Sequence, residues 1–137
     1  MSKRICSIIL IMMIGLTNFI CSAVTITDQI IGLVAYNEAE LSYSMNMDKK
    51  IMKGKCLIKS TQVPFNNELI LKGNFTHVKD PEYPNYPLYK AKLAVTTSSG
   101  KSLGIWNVNV DTRMGSVIGK WTYNGKTYKI EFETIDF

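Results

Sequence analysis

From Leu41 to Phe132 apolar and polar residues alternate in one short run after another, and this period of two most constrains the fold. Leu41, Tyr43, Met45 and Met47 are separated by Ser42, Ser44 and Asn46. Leu69, Leu71 and Phe75 share one face against Ile70, Lys72 and Asn74. Ala91, Leu93 and Val95 alternate with Lys90, Lys92 and Thr96, and Trp106, Val108 and Val110 with Asn107, Asn109 and Asp111. Val117, Trp121 and Tyr123 face away from Lys120 and Thr122. Tyr128, Ile130 and Phe132 face away from Lys129, Glu131 and Glu133. Side chains of a strand point to opposite faces in turn, so each run buries one face and wets the other. No later segment holds helical periodicity for three turns. Asp28 to Glu40 is the ambiguous region and admits a short helix.

Turn chemistry agrees. Asn124-Gly125 stands between two alternating runs, and a two-residue hairpin turn needs positive φ at both positions, which Asn and Gly tolerate best. Ser98-Ser99-Gly100-Lys101 and Thr112-Arg113-Met114-Gly115 mark two further turns. The last four strands therefore read as an antiparallel meander. The spacing predicts an all-β domain of seven or eight strands, an antiparallel β-sandwich or a small, partly open β-barrel. Gly119-Lys120-Trp121 resembles the Gly-x-Trp that opens the first strand of lipocalins. Here it lies in the penultimate strand, so no family is assigned on it.

The first 23 residues obey another rule. Lys3 and Arg4 precede an apolar run from Ile5 to Ile14, and Ser22 and Ala23 supply small residues for cleavage after Ala23. This is the pattern of a secretory signal, too short for a bilayer-spanning helix unless it extends through Phe19 and Ile20. The expectation is a cleaved signal peptide, 1–23, and a single all-β domain, 24–137, that is secreted or periplasmic. A lipid-modified Cys21 is disfavoured by the bulky Ile20 before it. Without Lys3 and Arg4 the net charge falls from +5 to +3. Such a balance does not point to nucleic acid. No stable membrane insertion is expected once the signal is removed.

Export would also remove Cys6 and Cys21 and leave Cys56 alone, so no internal disulfide is expected. Met52, Cys56 and Ile58 share a face while Lys53, Lys55 and Lys59 share the other. Cys56 thus reads as a small buried hydrophobe, with a lysine-activated nucleophile as the sharper alternative. His77 is the single histidine, and no Ser-His-Asp or Cys-His unit is evident. No cofactor and no metal are expected, because metal-ligand spacings are missing. Glu131 and Glu133 point to one face about 7 Å apart, a separation a glycosidase pair permits. Their alternation with Tyr128, Ile130 and Phe132 predicts a solvated face opposite Lys120 instead. Asn74-Phe75-Thr76 matches an N-glycosylation acceptor.

What stands out is Lys79 to Lys90, with three prolines and three tyrosines in twelve positions. Tyr83, Tyr86 and Tyr89 are three apart, as are Pro81, Pro84 and Pro87. In a polyproline-like segment, three residues per turn would line the tyrosines along one side. The competing reading folds the tyrosines back over one end of the core. These observations predict a small non-catalytic binding domain whose partner is a protein or a glycan outside the cytoplasm, with this loop as the contact. One alternative is a carrier holding a small apolar ligand between Trp106 and Trp121. A second is an exported hydrolase.

Overall fold

The computed structural model describes residues 24–59 and 68–133. The expected signal peptide lies outside them. Eight strands follow one another: β1 (Thr25–Val34), β2 (Asn37–Asn46), β3 (Ile51–Ile58), β4 (Glu68–His77), β5 (Leu88–Thr96), β6 (Ser102–Asp111), β7 (Ser116–Tyr123) and β8 (Lys126–Phe132). Each pairs antiparallel with the next, and β8 returns to β1 from Gly32–Phe132 to Val34–Ile130, closing a barrel. The domain is thus all-β and up-and-down throughout. Closure leaves fewer backbone edges open to other chains.

Alternation explains the barrel wall. The inward positions foreseen on β2, β4, β5, β6, β7 and β8 are buried or half-buried, and their polar neighbours face out. Asp28–Glu40 is not a helix. It is the β1–β2 hairpin, and its two-residue turn places Ala35 (φ 50°) and Tyr36 (φ 65°) in the left-handed region. The Asn124-Gly125 turn behaves as expected, with φ of 52° and 74°.

An eight-stranded barrel is just wide enough for side chains to fill it. Trp106, Trp121, Phe132, Leu41, Met45 and Met52 are among the fully buried residues that do so. Trp106 stacks on Phe132 with ring centroids 6.3 Å apart. Burying each such large side chain contributes about 1.5–3 kcal/mol. The barrel is apolar inside, while its outer wall carries lysines at mid-strand, such as Lys92 and Lys120.

Candidate functional site

Strand direction gathers the β4–β5 loop, 78–87, and the β6–β7 turn, 112–115, at one end of the barrel. Asp111, at the end of β6, ties them together. Its Oδ1 accepts from the backbone N–H groups of Arg113 (3.0 Å) and Met114 (2.9 Å), shaping the turn. Its Oδ2 accepts the Tyr86 hydroxyl at 2.7 Å. The Thr112 N–H donates to the Pro87 carbonyl at 3.1 Å. The Arg113 guanidinium lies 5.8 Å from the centre of the Tyr86 ring.

His77 completes the anchor. Its Nε2 lies 2.8 Å from the Tyr86 carbonyl oxygen. A carbonyl only accepts, so Nε2 carries the proton. His77 is therefore a structural fastener at a strand end, half-buried and tilted against the Tyr89 ring at 5.5 Å between centroids. Within the loop, Asp80 Oδ1 accepts from the N–H groups of Glu82 (2.8 Å) and Tyr83 (3.3 Å), and the Tyr86 N–H donates to the Tyr83 carbonyl at 3.0 Å. The segment is consequently turned, not an extended polyproline rod, because side-chain and backbone acceptors inside it close two successive turns.

The turns separate the three tyrosines. Tyr83 is 66% exposed at the tip, together with Pro81 and Pro84. Tyr86 is half-buried under Arg113, and Pro87 is half-buried beside Thr112. Tyr89 lies on β5 and meets Phe75 edge-on at 5.4 Å. Burial raises its phenol pKa above the ordinary tyrosine value. The three tyrosines therefore do not line one side of an extended segment: the second half of the stretch is fastened to the barrel, and its first half projects.

Trp106 and Trp121 lie side by side on β6 and β7, fully buried in the barrel interior. The Trp121 Nε1–H donates to the Leu103 carbonyl at 2.6 Å. The Trp106 Nε1–H, equally buried, has no hydrogen-bond partner among the described residues. Asp28 is a second polar feature of the interior, 5% exposed, with the Tyr43 hydroxyl donating to its Oδ2 at 3.3 Å. The sequence signal for it was an acidic residue two positions before Ile30, on the apolar face of β1.

Cys56 stands between Leu41 and Leu69 in register, inside the barrel, while Lys53 and Lys55 point outward. Burial pushes its thiol pKa up to about 12. A protonated, enclosed thiol is a poor nucleophile. Cys56 is expected to react with a water-soluble thiol reagent only after unfolding, which timed labelling with and without urea would check. Because the folded pKa lies above the unfolded one, the stabilisation is intact below pH about 9. It is lost as pH rises towards 12, by up to about 1.4 kcal/mol per pH unit. A Cys56→Ala variant should lack that part of the alkaline loss in denaturation curves measured at stepped pH.

The carboxylates on β8 do not face Lys120. Register pairs Lys120 with Lys129, and Glu131 with Ile118. The two-residue offset brings Lys129 Nζ to 2.7 Å from Glu131 Oε1 on the same outer face, and this contact raises the lysine pKa. Glu133 is exposed. Among the described residues no group of three or more His, Cys, Asp or Glu is placed to hold a metal ion. An open groove of about 510 Å³ crosses the outer wall of β1, β2 and β3. Ser42, Ser44, Lys53 and Lys55 are among the residues that line it, together with Asp28.

The fold and these contacts define a closed, eight-stranded, antiparallel up-and-down barrel with a core of buried apolar side chains and one fastened, projecting loop. No known protein family, curated protein or solved structure matches the chain.

Proposed function

We propose that this is a small exported binding domain, without catalytic activity, that engages a protein or glycan partner through the loop at its Asp111 end. One observation carries this reading: Asp111, His77 and Thr112 fasten the base of the loop while Tyr83 stands 66% exposed at its tip. Ordering a loop before binding reduces the entropy lost on association. Tyrosine supplies contact area with few rotors. Pro81 and Pro84 narrow the backbone conformations beside it. Met114, 60% exposed on the neighbouring turn, adds an adaptable apolar contact.

The test separates the tip from its anchor. Tyr83→Ala is expected to leave stability within about 0.5 kcal/mol of wild type and to weaken partner capture at least tenfold. Tyr86→Phe removes a hydrogen bond to a carboxylate and is expected to cost about 1.5–3 kcal/mol of stability. Capture by the purified protein from extracellular and periplasmic fractions and on a glycan array, compared with Tyr83→Ala, reads the first effect. Equal recovery of every partner sinks the loop reading.

The carrier reading retains one supporting observation, the unpartnered Trp106 Nε1–H inside the barrel. An acceptor on an enclosed small molecule would satisfy it.

A further inference from the structure

The outer wall from β4 to β8 holds a set of lysines that the loop reading leaves without a role. Cross-strand register aligns Asn74, Lys92, Asn107, Lys120 and Lys129 in one row around the barrel. At about 4.8 Å per strand the row spans about 19 Å. All five residues are exposed. Lys72 and Lys90 flank it on the neighbouring outward positions of β4 and β5, about 7 Å along each strand.

This surface has almost no counter-charge. The outward positions from Lys72 to Thr76, Lys90 to Thr96, Ile105 to Asn109 and Ile118 to Thr122 contain no carboxylate. The ion pairs of Lys55 with Glu68 and of Lys59 with Glu38 and Glu40 lie off the row, and within it Lys129, the last member, is held by Glu131. Register even sets like charges opposite one another, Lys120 against Lys129 and Lys53 against Lys72. Like charges directly opposite across a sheet destabilise it. An anion lying over them would relieve that cost.

We propose that this wall binds a linear acidic polysaccharide, a chain bearing sulfate or carboxylate groups. Lysine supplies point charges for the acidic groups, and the intervening asparagine carboxamides supply both a donor and an acceptor for sugar hydroxyls. The row curves with the barrel, so a flexible chain follows it, whereas a flat lipid surface touches a convex wall along one line only. The groove beside Lys53 extends the path past Lys72, with Ser42 and Ser44 offering hydroxyls there. This site is separate from the loop tip and does not depend on the loop's role.

Affinity electrophoresis of the purified protein through gels containing dextran sulfate, polygalacturonate or neutral dextran tests the site. Retention by at least one acidic polymer and not by neutral dextran is expected, falling as salt screens the lysines. The polymer retained more strongly assigns the acidic group. Lys92→Gln with Lys120→Gln should weaken retention at least tenfold. Lys101→Gln with Lys126→Gln, which removes the same charge from exposed positions beside the turns at the far end of the barrel, should change it less than twofold. Tyr83→Ala should not change it. Loss of retention to the same extent in both lysine pairs would assign the effect to bulk charge and overturn the proposal. Absence of retention by either acidic polymer at low salt overturns it too, as does binding to phosphatidylglycerol vesicles at least as tight and as dependent on Lys92 and Lys120.

Discussion

Gly73→Ala is expected to cost about 4 kcal/mol or to prevent folding, although it adds a single methyl group. Gly73 occupies an inward position of β4, paired with Met52 on one side and Leu93 on the other. A Cβ there would run into the carbonyl oxygen of Lys92, with the Lys92 carbonyl carbon and Leu93 Cα also inside normal contact distance. These are backbone atoms of the adjoining strand, so no side-chain rotation relieves the clash. Either β4 and β5 separate, losing ladder hydrogen bonds, or β4 kinks. Glycines at such points let small barrels bend their strands sharply enough to close. An effect this size is reserved for a few mechanisms, overpacking of a rigid core among them. Gly125→Ala makes the control: its Cβ would meet nothing within 4 Å, and the penalty is the positive φ of 74° alone, about 1 kcal/mol. Urea denaturation of both variants measures the contrast, and similar costs would refute the account of Gly73.

That glycine also marks where sequence reading reached its limit. The inward set Leu69, Leu71, Phe75 was legible because each member is apolar, whereas Gly73 has no side chain to carry the pattern. Only the cross-strand register shows that this absence is what allows the neighbouring strand to approach. Asp28 was hidden for a related reason. Its strand has Gly32 on the inward face and a turn of Ala35 and Tyr36, which lack the Asn-Gly signature that revealed the β7–β8 hairpin. The strand count and the C-terminal meander were readable because turns and alternation agreed there. Closure was not, since it depends on three residue pairs between β1 and β8 that are nearly the whole domain apart in sequence. At the candidate site, composition singled out the Tyr-Pro stretch but could not divide it into anchor and tip. The division comes from Asp111 and His77, which composition gives no reason to associate with residues 83–87. The lysine wall was invisible as a wall, because its members come from separate strands and only register aligns them.

Trp121→Ala should cost about 4 kcal/mol through lost burial and the cavity it leaves, but the comparison with its neighbour is more telling. Trp121→Phe keeps an aromatic ring and removes the Nε1–H that donates to the Leu103 carbonyl at 2.6 Å. That carbonyl then lies in the barrel without its donor, so the expected cost is about 2–3 kcal/mol, from the stranded acceptor and the smaller ring together. Trp106→Phe removes the same group from an equally buried ring, but there the N–H has no partner among the described residues. Burying an unpaired donor is itself unfavourable, so its deletion offsets part of the lost packing. The expected net cost is about 1 kcal/mol or less. Urea denaturation of the two Phe variants, side by side, decides the matter. If Trp106→Phe costs as much as Trp121→Phe, the Trp106 N–H holds an acceptor inside the folded barrel, a water or a small molecule. Mass spectrometry of the protein under native conditions then distinguishes them, since an organic guest adds mass that leaves on denaturation. A bound guest would move the functional reading from the loop to the barrel interior, whereas a cheap Trp106→Phe leaves the interior as packing and keeps function on the outside.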